Sequence, residues 1–102
     1  MVKSILDEAG IMNAEAGFIK TPDKTHAVYF VDVSTDGPDG VNRIYTHDCT
    51  VELYAHIQDP KAEAALEAVM DARGVRWTKQ SRYKLQTGMY QTVYEFTYII
   101  KN

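Results

Sequence analysis

The chain has 102 residues, 45% of them hydrophobic and 25% charged, the proportions of one globular domain large enough to bury a core without covalent staples. A formal charge of -3 leaves no excess of lysine and arginine to neutralise phosphates, which argues against duplex binding or specific nucleic-acid recognition as the main task. The single cysteine, Cys49, forbids an internal disulfide, and the start MVKSILDEAG has no long apolar run behind its lysine, so the sequence predicts a protein made in the cytosol with no membrane contact.

Taken in chain order, Val2 to Ala9 places Val2, Ile5, Leu6 and Ala9 on one helical face, with Gly10 to stop it. Gly10 to Thr25 shows no period and contains Lys20, Thr21, Pro22, Asp23 and Lys24, which read as turn and loop. The single domain is therefore expected to divide into an N-terminal helix and loop, 1–26, and a sheet with the main helix, 27–102. Ala27 to Val33 (AVYFVDV) is valine-rich and aromatic and reads as a strand buried on at least one face. Ser34 to Arg43 carries Asp-Gly and Gly-Pro signals and no apolar period, which predicts a long exposed hairpin loop.

In the next strand, Tyr45 to Ile57, the odd positions Tyr45, His47, Cys49, Val51, Leu53, Ala55 and Ile57 form the core side, and the even positions are mostly polar. Pro60 to Arg73 has the clearest boundaries in the chain: Asp59 suits the N-cap, Pro60 the first helical position and Gly74 the left-handed exit. Ala62, Leu66, Val69 and Met70 form its apolar stripe, and Glu63, Glu67 and Asp71 line another face, read most simply as solvated. At about 1.5 Å per residue this helix matches a strand of six or seven residues in length, so it can cover one sheet face. Val75 to Leu85 then alternates Val75, Trp77, Tyr83 and Leu85 against basic and polar residues. Gly88 marks a turn, and Met89 to Ile100 alternates Tyr90, Tyr94, Phe96, Tyr98 and Ile100 against Gln91, Val93, Glu95 and Thr97. The order is α-β-β-α-β-β, an α+β fold: a four-stranded sheet from two hairpins, with the main helix on one face. Val51, Leu53, Leu66, Val69, Trp77 and Phe96 are expected to meet in its core.

No catalytic constellation emerges. On a strand, His47 and Cys49 point the same way with side chains about 7 Å apart, too far for thiol activation, and Asp48 points to the other face, so Cys49 reads as an inert small hydrophobe. His26, His47 and His56 lack the paired spacing of metal ligands. Asp36, Asp39 and Asp48 lack the calcium-loop spacing, and Gly37 to Gly40 lacks the residues of a phosphate loop, so no cofactor or metal is expected.

The extended pair VYFVDVSTDGPDGVNRIYTHDCTVELYAH, the helix DPKAEAALEAVMDARGVRWTK and the closing strand GMYQTVYEFTYIIK resemble the small tail-completion or tail-terminator proteins of long-tailed bacteriophages and prophages. The similarity runs from about Ala27 to Lys101, most closely at Val51, Glu52, Leu53 and Tyr54 and at Met89, Tyr90, Gln91, Tyr94, Glu95 and Phe96. The resemblance implies a virion tail component assembled in the host cytoplasm. It would be a self-associating ring, commonly hexameric, that caps the tail tube protein and meets the head–tail connector, without enzymatic activity. Asp36, Asp39 and Arg43 on the hairpin loop, and Glu63, Glu67 and Asp71 on the helix, are the expected subunit or partner contacts. Two other readings stay open: a monomeric or dimeric module binding a ligand or peptide in a concave apolar pocket, and a small enzyme drawing on His26, Tyr54 and His56.

Overall fold

The computed structural model describes residues 1–37, 44–56, 60–80 and 83–101. Helix α1 (Val2–Glu8) and helix α2 (Pro60–Ala72) pack on one face of a mixed sheet. The strands are β1 (Met12–Glu15), β2 (His26–Asp36), β3 (Ile44–Ala55), β4 (Trp77–Lys79), β5 (Tyr83–Lys84) and β6 (Tyr90–Lys101). Five of them lie in the order β1-β2-β3-β6-β4, and β5 also pairs with β6. β1 is parallel to β2, and every other pairing is antiparallel.

Both helices end the same way, for a reason written in their glycines. Gly10 (φ 76°) and Gly74 (φ 72°) adopt the left-handed conformation that costs a side-chain-bearing residue strain. The chain then turns back, so that the amides of Ile11 and Val75 donate to the carbonyls of Leu6 and Met70, and those of Gly10 and Gly74 to Asp7 and Asp71. Orphan carbonyls are satisfied, and an apolar residue just past each helix, Ile11 or Val75, drops onto the core.

Register explains which residues the helices cover. Ala27, Leu53 and Thr92 lie level across the three central strands, followed by Tyr29, Val51 and Tyr94, and then by Val31, Cys49 and Phe96 with Trp77 beside them. All these project to the helix side, where Leu66, Val69 and Met70 of α2 and Val2, Ile5 and Leu6 of α1 complete one cluster. The six-residue core read from the sequence is present, with Trp77 half-buried at its margin. Tyr94, 0% exposed, is its largest fully buried side chain.

The α+β class and the helix on one face hold, but the sheet has more strands than four. β1 falls in the stretch read as loop: MNAE has no alternation, and its pairing with β2 is non-local. The strand read as continuous from Val75 to Leu85 is two short pieces, β4 and β5, pairing at separate places along β6. The first strand of the β2–β3 hairpin runs to Asp36, so Ser34, Thr35 and Asp36, read as loop, are strand. The expected cap Asp59 and the strand end Ile57 lie outside the described residues.

β2, β3 and β6 are longer than the helices need. Beyond the level of Val31, Cys49 and Phe96 they continue as a three-stranded arm through Val33, His47 and Tyr98 to Thr35, Tyr45 and Ile100, making the molecule 50 Å long by 29 and 22 Å.

Candidate interaction surfaces

The acidic stripe on α2 turns inward at Glu63 and Glu67, while Asp71 stays exposed. Glu63 is only 5% exposed, and its Oε1 lies 2.7 Å from Lys79 Nζ. Lys79 also reaches Glu67 Oε2 at 2.8 Å, and the same oxygen accepts the Tyr94 hydroxyl at 2.7 Å. Asp71 Oδ1 accepts Trp77 Nε1 at 2.8 Å. Burial alone would lower the Lys79 pKa, but hydrogen bonds and charge from Glu63 and Glu67 outweigh it and hold the ammonium above its usual value. The face read as solvated is therefore the seam by which α2 is fastened to β4 and β6. Like charges spaced along a helix tolerate each other because β4 supplies one cation between them. As a contact for another molecule, Glu63 offers almost no surface.

Of the hairpin residues, Asp36 is exposed at the end of β2 and its Oδ1 accepts the Gly37 amide at 2.8 Å. Asp39 and Arg43 lie outside the described residues.

Cys49 is 2% exposed, its sulfur 3.8 Å from the His47 carbonyl, and burial pushes its thiol up to about 11. It is protonated at neutral pH and so is not the reactive thiolate. Asp48 projects to the other face, where its carboxylate accepts the Thr97 hydroxyl at 2.8 Å. Among the described residues, no group of three or more His, Cys, Asp and Glu side chains could hold a metal ion, and no helix is long and apolar enough to cross a membrane.

On the helix-free face, residues 16–25 fold back over the start of the sheet and enclose a groove of about 530 Å³. Phe18, Val28, Phe30 and Met89 give it apolar walls, and His26, Tyr54 and His56, separated in sequence, all line it. His26 stacks on Tyr54 (centroids 5.2 Å, interplanar 17°) and takes Phe18 edge-on at 5.4 Å. Its Nδ1 lies 2.8 Å from the Lys24 carbonyl, an acceptor only, which places the proton on Nδ1. The Tyr54 hydroxyl donates to Glu52 Oε1 at 2.8 Å and accepts from Gln91 Nε2 at 2.7 Å. These polar groups are held in place by their neighbours.

The third surface is the arm. His47 and Tyr98 stack there with centroids 4.4 Å apart. On their face Val33 is 54% and Ile100 46% exposed, and Ile99, on the opposite face, is 57% exposed. The alternation of β2, β3 and β6 shows that the strands continue, but the sequence does not show where the helices stop covering them; that depends on how far α1 and α2 reach along the sheet.

No family model matches the sequence, and no curated protein does. Among solved structures the chain is similar to one described as the virion of a native gene transfer agent particle. The TM-score is 0.64 and the identity 17%, over 96% of this chain and 84% of that one. Helices and sheet thus form a fold that also occurs in a chain of that virion particle.

Proposed function

We propose that this protein is a structural subunit of a phage-like virion, and that within the virion it serves as the tail terminator or tail-completion protein. In this reading it forms a ring, commonly of six copies, that caps the tail tube and joins it to the head connector, with no catalytic step. The observation that carries the proposal is the fold shared along 96% of the chain with a virion component. The tail position rests on the resemblance of the β2–β3, α2 and β6 sequences to tail-terminator proteins. Exposed aliphatic side chains on a rigid three-stranded arm suit a protein that works through its surfaces.

Light scattering on the purified protein tests the ring: six chains of 11.6 kDa give a particle of roughly 70 kDa. Deleting the gene from its phage or prophage tests the position, with overlong or uncapped tubes expected by electron microscopy and normal tails refuting it. A second reading, a small ligand- or peptide-binding module, is favoured by the aromatic-lined groove of about 530 Å³. It predicts a monomer or dimer at high concentration, and chemical-shift changes at Phe18, His26 and Tyr54 with added aromatic compounds.

A further inference from the structure

Among the described residues, the arm leaves two rows of backbone hydrogen-bonding groups open. Along β2 the direction of these groups is fixed by the Ala16 amide, which donates to the Tyr29 carbonyl at 2.8 Å on the side away from β3. Alternation then turns the N–H and C=O of Val33 and Thr35 the same way. β1 pairs with His26 to Tyr29 only, so no described strand meets them. Along β6 the Gln80 amide donates to the Val93 carbonyl on the side away from β3, so Ile99 and Lys101 also face outward. β4 pairs with Tyr94 to Phe96 and β5 with Tyr90 and Gln91, which leaves the end of β6 open among the described residues.

We propose that these two edges are the interface between copies of this chain: the β6 edge at Ile99 and Lys101 of one copy pairs in parallel with the β2 edge at Val33 and Thr35 of the next. The proposal rests on the self-assembling reading above and names its contact. Three features fit the edges to each other. β2 and β6 both run antiparallel to β3, so they point the same way, and a rotation about an axis along the strands brings them together in parallel. Val33 lies level with Tyr98, and Thr35 with Ile100. That is the alternation a parallel ladder requires, because Val33 then bonds to Thr97 and Ile99, and Thr35 to Ile99 and Lys101. Each level pair also projects to the same face, so Val33 meets Tyr98, and Thr35 meets Ile100, over an already apolar surface. Using different edges on the two sides makes the contact heterologous, which does not stop at a dimer and closes into a ring where the rotation between copies divides the full turn. Aliphatic edge strands left unpaired are rare on monomers, because they invite such pairing.

Single-cysteine proteins in a Cys49→Ala background test this. One partner carries Val33→Cys or Thr35→Cys and the other Tyr98→Cys or Ile100→Cys, so that a shift of one ladder step is still detected. Within one chain these positions are about 10 Å apart, two strand spacings, beyond the roughly 7 Å reach of a disulfide, so only neighbouring copies can be linked. The proposal predicts disulfide dimers on mild oxidation of the mixtures and none from either partner alone. Val33→Pro and Ile99→Pro remove only outward N–H groups and should at least tenfold reduce assembly while the far-UV circular dichroism is kept. Rings that form without mixed disulfides and tolerate both prolines would overturn the edge pairing and leave the ring standing. Disulfides within a single-variant sample would replace it with a two-fold dimer. A chain monomeric at every concentration would refute both the pairing and the ring.

Discussion

Lys79 shows how one side chain can organise a surface that its neighbours in sequence seem to disperse. It stands between Glu63 and Glu67, with its ammonium 5.6 Å from the centre of the Tyr94 ring. Lys79→Met removes the ammonium 2.7 Å from the 5%-exposed Glu63 and should cost about 1–3 kcal/mol in urea unfolding. Adding Glu63→Leu should recover much of that loss, since an apolar pair of similar volume needs no counter-charge. The pH dependence follows from the raised Lys79 pKa. The contribution of the ammonium is full below its ordinary value of 10.5 and is lost as pH rises through the higher folded value. Wild type and Lys79→Met should therefore differ by a constant amount near neutrality, and the gap should close only in the alkaline limb. Cys49 gives the opposite kind of prediction: with its thiol raised to about 11, labelling by a maleimide at pH 7 should be slow until the protein is unfolded, and Cys49→Ala should keep assembly.

At the scale of elements, the two left-handed glycines are where sequence and structure agree most directly. Gly74→Ala meets no atom within 4 Å, so its penalty is backbone strain alone, about 1 kcal/mol, visible as a melting temperature lowered by several degrees. The same glycines made both helix ends legible in the sequence, because a local signal reported a local conformation. β2, β3 and β6 were legible too, since one buried face imposes a period of two. β1 was not, because an edge strand of four residues joined to β2 in parallel is specified by the partner it reaches and by Ile11 beneath it. The break between β4 and β5 was hidden for a related reason. Alternation continues from Trp77 through Leu85 whether or not β6 is met along the way. The acidic stripe of α2 was misread because a helical wheel shows which residues share a face and nothing of what a later strand brings against it. Lys79, sixteen positions beyond Glu63, carried no such signal.

For the whole molecule, the informative feature is that helices and arm divide the long axis: one end is a packed core and the other a sheet with open edges. The Asp36 end of β2, toward the hairpin tip, is a separate candidate contact, and charge reversal distinguishes its role from that of the edges. Asp36 is exposed and its carboxylate accepts the adjacent Gly37 amide, so Asp36→Lys with Asp39→Lys should shift folding stability by about 0.5 kcal/mol or less. If the tip contacts the tube end or the connector, purified rings should still form, because the edges at Val33, Thr35, Ile99 and Lys101 are untouched. Complementation of a deleted phage or prophage should nevertheless fail, with uncapped tubes in negative stain. If the tip instead touches the adjacent subunit, the loss appears earlier, as smaller particles in light scattering. Full complementation with normal tails would remove Asp36 and Asp39 from both contacts and leave the proposed arm-edge pairing as the candidate subunit interface.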